Sequence, residues 1–207
     1  MKYHLVVLAK QVPDTHNITG EAMKSDGTVN RAALPAIFNP EDLNALEMAL
    51  ELKERYDATV TVITMGPPRA ADILREALYR GADHTILITD RAFAGADTLA
   101  TSYVLAKAIE KIGDVDLVLC GRQAIDGDTA QIGPQVAEKI NYNQITYVEE
   151  IRELREKKIT LCRSLGRVTE TIETGLPLLV TVTSSANKPR TFGAKRMMKY
   201  KKAKSFL

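Results

Sequence analysis

Between Gly121 and Pro134 the chain reads GRQAIDGDTAQIGP, a stretch dense in groups that can hold a ligand. Glycines at 121, 127 and 133 loosen the backbone, and the carboxylates of Asp126 and Asp128 flank the middle one. An apolar run ending at Cys120 precedes it and reads as a buried parallel strand. Thr129, Ala130 and Gln131 then open a helix expected to run to about Lys139. A strand, a glycine-loosened loop and a helix N-terminus together suit a phosphate. Backbone N–H groups face the anion, and the helix dipole favours its charge. Asp126-Gly127-Asp128 has two readings. One is a divalent metal site. The other is an Asx turn with Asp128 capping the helix that begins at Thr129, and it is favoured because no third oxygen ligand lies nearby in sequence.

The elements that must position this loop follow from periodicity. Tyr3 to Ala9 reads as a strand, and the polar stretch from Lys10 to Ile37 carries a turn at Ser25-Asp26-Gly27-Thr28 that would close a short hairpin. Asn39 is a good N-cap, Pro40 suits the first helical position, and Glu41 and Asp42 suit the positive helix end. Leu43, Leu46 and Leu50 give that helix its apolar face. Thr59 to Met65 is a second strand stopped by Gly66-Pro67-Pro68, and Ala70 to Arg80 a helix closed by Gly81. His84 to Thr89 is a third strand, and Thr98 to Ile112 a helix with Val104, Ala108 and Ile112 in phase.

Strands alternating with helices predict an α/β fold, a doubly wound parallel sheet. After Asn141 four strands follow without a helix: Thr146 to Glu153, Lys157 to Ser164, Arg167 to Glu173 and Leu178 to Thr183. The middle two read as a hairpin around Leu165-Gly166. They make a β-rich C-terminal extension of the same domain, so residues 1–186 are expected to form a single α/β nucleotide-binding unit. Open α/β sheets bind ligands at the carboxyl ends of their strands. Leu8 and Ala9 end the first strand there, Met65 and Gly66 the second, and Asn39 to Asp42 lie just past the first loop.

Several chemistries lack their signatures. There is no G-x-G-x-x-G and no G-x-x-x-x-G-K-[ST]. His4, His16 and His84 are scattered, and Cys120 and Cys162 lack metal-ligand spacing, so no metal site and no catalytic acid, base or nucleophile is assigned. Both cysteines sit in apolar runs, as reduced core thiols do, which suits a cytoplasmic protein. No apolar run approaches the roughly 18 residues that span a bilayer, so no membrane insertion is expected. The net charge of +2 conceals an asymmetry: residues 188–207 carry eight Lys or Arg and no acid. The remainder holds 20 basic and 26 acidic side chains, a net of −6. The segment 187–207 is therefore a basic appendage of its own, read as a partner-docking surface or a solvated tail. Lacking interleaved aromatics beyond Phe192 and Tyr200, it is not read as a nucleic-acid surface.

Taken in order, VVLAKQVPD at 6–14, FNPED at 38–42, the 121–134 loop and LPLLVTVTSSANKPR at 176–190 resemble the beta subunit of electron transfer flavoprotein. The similarity covers Tyr3 to about Arg190. It implies a heterodimer with an alpha subunit that carries a redox FAD, and a second adenine nucleotide held in the beta subunit. In ordinary members that nucleotide is AMP. In electron-bifurcating members it is a second FAD that accepts hydride from NADH, passing one electron to a high-potential acceptor and one to ferredoxin or flavodoxin. The AMP pattern resembles an acidic triplet followed by cysteine and asparagine. Asp126-Gly127-Asp128-Thr129-Ala130-Gln131 looks like the bifurcating version instead, because Gly127 removes a carboxylate and frees the backbone to approach a pyrophosphate.

By position, the resemblance implies cofactor contacts from Leu8, Ala9, Asn39, Pro40, Glu41, Asp42, Met65 and Gly66. It adds Gly121, Arg122, Gln123, Ala124, Ile125, Asp126, Gly127, Asp128, Thr129, Ala130, Gln131 and Ile132. Asn187-Lys-Pro-Arg190 fits the family's opening of a loop that recognises acyl-CoA dehydrogenase-type partners, with Met197 and Met198 as adaptable contacts. Family members continue beyond this point onto the alpha subunit, so 187–207 is read as a truncated arm. A stand-alone adenine-nucleotide-binding module without a redox role is the competing expectation.

Overall fold

Aliphatic runs with no polar face can be buried only at the centre of a layered structure, and here they form the middle of a sheet. The computed structural model describes residues 2–14 and 35–203. Its elements begin with β1 (His4–Leu8), β2 (Gln11–Pro13), β3 (Ala36–Phe38), α1 (Pro40–Tyr56), β4 (Thr59–Met65) and α2 (Ala71–Arg80). Next come β5 (His84–Ile88), α3 (Thr98–Ile112), β6 (Leu117–Gly121) and α4 (Ile132–Lys139). β7 (Asn143–Arg155), β8 (Lys158–Ser164), β9 (Thr169–Gly175), β10 (Leu178–Val182) and α5 (Ala194–Tyr200) complete the chain.

Eight strands make one sheet in the order β5-β4-β1-β6-β10-β7-β8-β9. Pairing is parallel from β5 across to β7 and antiparallel through β8 and β9. The fold is α/β with a large, mostly parallel sheet and antiparallel strands at its C-terminal side, as the sequence leads one to expect. The hairpin at Leu165-Gly166 is present, closed by Leu165 N–H on the Val168 carbonyl at 2.8 Å. One arrangement is new: β10 returns into the parallel region between β6 and β7.

Period-two alternation decides what each face buries. Leu5 and Val7 of β1 point to a core shared with Leu46 and Leu50 of α1 and Ile73 and Leu74 of α2. Val6 and Leu8 point to the opposite core, with Leu105 and Ile109 of α3 and Val136 and Ala137 of α4. The chain thus steps from β1 to β4 to β5 with helices on one face, then crosses to β6 on the other side of β1 with helices on the other face. β1 and β6 are neighbours whose onward connections diverge, which opens a crevice at their carboxyl ends. Leu8 pairs with both Ile63 and Cys120, so the ends of β1, β4 and β6 lie level.

Three local expectations need correction. The buried stripe of α3 is Ser102, Leu105, Ala106 and Ile109, while Val104, Ala108 and Ile112 lie half-buried beside it. Packing against α4 selects that face, because Ser102 donates to Gln135 Oε1 at 2.9 Å. Helix α4 starts at Ile132 rather than Thr129. Asp128 (φ 48°) and Ala130 (φ 52°) are left-handed, which no right-handed helix admits, so Asp128 caps nothing. The proposed turn at 25–28 lies outside the described residues, although β2 and β3 pair antiparallel on either side of it.

Residues 187–203 fold back on α1 and α2. Asn44 Nδ2 donates to the Asn187 carbonyl at 2.8 Å, and Asn187 Nδ2 to that of Asn44 at 3.0 Å. Arg190 forks onto Glu47 at 3.0 Å and also pairs with Glu54. Gly193 N–H donates to the Tyr79 carbonyl at 3.1 Å, and Phe192 sits edge-on to Tyr79. Met197 and Met198 of α5 stay exposed. Replacing Arg190 by Ala leaves the largely buried Glu47 carboxylate without its cation. The expected cost is about 1–3 kcal/mol in chemical denaturation, with faster tryptic cleavage at Lys195 and Arg196 as the segment lifts from α1. Unchanged stability and cleavage would show that the clamp does not hold this segment.

Candidate functional site

The first turn of α1 builds the crevice floor. Pro40 starts the helix, as its fixed φ and missing N–H allow. Asn39 occupies the cap position, but its side chain makes no cap hydrogen bond. It turns to the neighbouring loop instead: Nδ2 donates to the Gln123 carbonyl at 2.9 Å, and Oδ1 accepts from Ile125 N–H at 3.2 Å. Glu41 accepts from Gln123 N–H at 3.0 Å and pairs with Arg122 at 3.2 Å. Asp42 accepts from Gly121 N–H at 2.8 Å with one oxygen and from Lys10 N–H at 2.9 Å with the other. All three side chains are buried, and they bind the loops that follow β1 and β6. The expected cap is in fact a clasp.

Close approach explains the first glycine of the motif. A Cβ on Gly121 would lie 2.6 Å from Asp42 Oδ1 and 2.7 Å from the backbone of Glu41. Gly133 is similarly confined, with Thr181 Cγ2 at 2.8 Å. Gly127 differs, because a Cβ there meets nothing within 4 Å. Its side-chain position faces open space beside the left-handed Asp128 and Ala130. Within the bend, the N–H groups of Gly127 and Asp128 both donate to the Ala124 carbonyl, at 3.3 and 2.9 Å.

Above this floor opens a cavity of about 1030 Å³. Of the residues singled out from sequence, Leu8, Ala9, Asp42, Met65, Gly66, Gly121, Arg122, Gln123 and Ala124 line it, as do Gly127 through Ile132. Asn39, Pro40, Glu41, Ile125 and Asp126 do not; they lie behind the wall and support it. Lys10, Pro67, Pro68, Cys120 and every residue from Thr89 to Thr98 except Ala92 line the cavity without having been singled out. The rule that pointed to the ends of β1 and β4 applies equally to β5, whose Ile88 pairs with Met65, so the 89–98 loop was accessible to the same reasoning.

Two helix N-termini share the cavity wall. Asp97 caps α3 by accepting from Ala100 N–H at 2.8 Å, and Thr98 Oγ1 donates to Gln131 Oε1 at the start of α4, 2.8 Å away. Each acid of the Asp126-Gly127-Asp128 bend has a partner of its own. Asp126 pairs with Lys10 Nζ at 2.6 Å, and Asp128 accepts from Gln123 Nε2 at 2.8 Å. Among the described residues no group of three potential metal ligands converges. Both cysteines are buried free thiols, and burial pushes that of Cys120 far up, with Asp42 adding to the effect. A thiol held protonated is a poor nucleophile. The arrangement offers two helix N-termini and a largely apolar lining. It can hold an anionic ligand without acid–base chemistry.

Burial also pushes Asp42 up to about 7, overcoming the hydrogen bonds from Gly121, Lys10 and Asn39 that favour its anion. The folded protein therefore holds a proton there that the unfolded chain releases near its ordinary value of 3.8. That contribution to stability is complete below about pH 4 and is lost as pH rises through about 7. Relative to Asp42→Asn, the wild type should lose up to about 4 kcal/mol of unfolding free energy between those limits. Parallel profiles for the two proteins in pH-resolved denaturation would contradict this.

Residues 26–205 match the electron transfer flavoprotein domain family. The chain is 49% identical over 187 residues to the electron transfer flavoprotein subunit beta of Thermoanaerobacterium thermosaccharolyticum, covering 90% of this chain and 70% of that one. The same figures describe its similarity to the caffeyl-CoA reductase-Etf complex subunit CarD of Acetobacterium woodii. Protein FixA of Azotobacter vinelandii is 47% identical over 192 residues, covering 90% of this chain and 68% of its own. The sheet, the clasped glycine loop and these matches agree: the chain belongs to the electron transfer flavoprotein family and resembles its beta subunits.

Proposed function

We propose that this chain is the beta subunit of a two-subunit electron carrier, holding FAD in the crevice between β1 and β6, with an alpha subunit as its partner. The observation that carries this reading is the size and lining of the crevice. About 1030 Å³ is at the top of the range of roughly 300–1,000 Å³ usual for small-molecule sites. It extends from the 121–133 loop to Met65, Pro67 and Phe93. The first end offers the N-terminus of α4 for a diphosphate. The second offers apolar surface for a ring system. AMP would occupy the first end alone, so the length of the cavity favours FAD over AMP.

The fit is chemical as well as steric. Gly127 leaves the bend without a third carboxylate, and Asp126 and Asp128 are engaged by Lys10 and Gln123. When bound, the flavin supplies the electron-accepting and electron-releasing chemistry. The protein's part is to bind the phosphates, seat the ring against Met65 and Phe93, and exclude water. NADH is the proposed transient donor, and ferredoxin or flavodoxin the proposed low-potential acceptor. Met197, Met198 and Phe192 are exposed on the folded-back segment, and we assign them to an acyl-CoA dehydrogenase-type partner.

Co-expression with an alpha subunit of the family tests this by visible spectrum and flavin stoichiometry. Two flavins per heterodimer are expected, whereas one flavin plus AMP would reject FAD in this chain. A colourless chain that fails to associate would indicate a stand-alone nucleotide-binding module. A Gly127→Asp variant sharpens the test, because the added side chain enters open space and leaves the fold intact. Like charges about 4 Å apart repel by about 4 kcal/mol near a protein surface, enough to weaken binding by roughly a hundredfold or more. Stoichiometry should fall from two flavins to one while AMP still binds. Two flavins retained would overturn the assignment of the bend to the diphosphate.

A further inference from the structure

We infer that Lys10 is a mobile counter-ion for the bound phosphate, exchanged between Asp126 and the ligand. This rests on the nucleotide reading of the crevice. The ionisable side chains that line the cavity are the cations Lys10, Arg91 and Arg122 and the acids Asp42, Asp90, Asp97 and Asp128. Basic side chains therefore give the cavity no positive excess, and whichever cation can turn toward a phosphate matters disproportionately. Arg122 is held by Glu41 at 3.2 Å, with that carboxylate itself buried. Arg91 lies on the 89–98 loop, across the cavity from the 121–133 bend.

Lys10 is placed differently. It follows the last residue of β1 by two positions, at the point where the connections of β1 and β6 diverge. Asp42 fixes its main-chain N–H at 2.9 Å, so the root of the side chain is anchored. Its ammonium reaches across to Asp126 at 2.6 Å. Side-chain exposure is 49% for Lys10 but only 9% for Asp126. Lys10 lines the cavity, whereas Asp126 is behind the wall. The ammonium thus bridges from the cavity to the rear of the bend, where Ala124, Gly127 and Asp128 face inward.

An ion pair with one partner half in water is weak and screened. A phosphate carries more charge than one carboxylate and makes shorter, charge-assisted hydrogen bonds. It can draw Lys10 from Asp126 with no main-chain movement, because a four-carbon stem on a fixed root swings freely. Without ligand, the pair neutralises Asp126 at the rear of the bend. With ligand, the same cation turns inward.

The test uses two variants of the full chain that break the same ion pair from opposite sides. Affinities for ADP and for adenosine are measured by calorimetry after removal of co-purified nucleotide. Lys10→Met should weaken ADP by roughly 10- to 100-fold and leave adenosine unchanged. Lys10→Arg should restore ADP binding. Asp126→Asn, which frees the ammonium, should tighten ADP. If the pair only shapes the loop, both variants weaken ADP and adenosine alike, and the inference falls. It also falls if Asp126→Asn leaves ADP affinity unchanged. Should the wild-type chain bind neither probe, the nucleotide reading itself fails and takes this assignment with it. Should it bind both probes equally well, the crevice takes the nucleoside but Lys10 has no phosphate to meet.

Discussion

One carboxyl group, that of Asp42, joins the two strands whose divergence creates the crevice. Its oxygens accept from Lys10 just past β1 and from Gly121 at the end of β6. A helix start is thereby wedged between two parallel strands at the place where their connections part. Such wedging demands a residue without a side chain on β6, since a Cβ on Gly121 would collide with both Asp42 and Glu41. It also demands that the carboxyl group leave water almost entirely, which is why it ionises so reluctantly. The geometry of the bend at 126–128, the reach of Lys10 and the depth of the cavity all follow from that contact.

Neighbouring residues extend the same logic. Asn39 and Glu41 place three further hydrogen bonds on the main chain of the loop, at Gln123 and Ile125. A loop this polar, lying over an apolar sheet, needs partners for its own N–H and C=O groups. The α1 side chains satisfy the rear of the loop, and the front is left facing the cavity. Polar residue types that seem suited to touching a ligand are used instead to orient the peptide groups that face it.

How much of this was legible beforehand depends on distance along the chain. Strands such as Thr59–Met65 and the first strand at Tyr3 to Ala9 were readable because a short apolar run is a local signal. The helix start at Pro40 was readable from proline and acids, yet the role of Asn39 was not, since its partners lie 84 and 86 residues away. The start of α4 was misplaced because Thr-Ala-Gln is compatible with a helix, while left-handed backbone at Ala130 carries no composition signal. The insertion of β10 between β6 and β7 was invisible for the same reason: parallel pairing joins segments far apart in sequence. Within the site, the glycine motif and the strand ends, grouped in advance, line one cavity, and the 89–98 wall was passed over although it too follows a parallel strand and carries Gly95 and Asp97.

The distribution of charge around the cavity completes the picture. On its floor, Asp42 and Cys120 are both driven toward their neutral forms by burial. Around them lie Leu8, Leu105 and Ile132, so the deepest part is apolar and carries little charge at moderately acid pH. Charge lies at the more exposed lining positions, Lys10, Asp90, Arg91, Asp97 and Asp128, with Arg122 half-buried. A ligand with one ring system and one anionic linker matches that layering, since its apolar part can enter without stranding a charge. The neutral floor depends on Asp42 staying out of water, and Asp42 stays there because Gly121 lets α1 close over it.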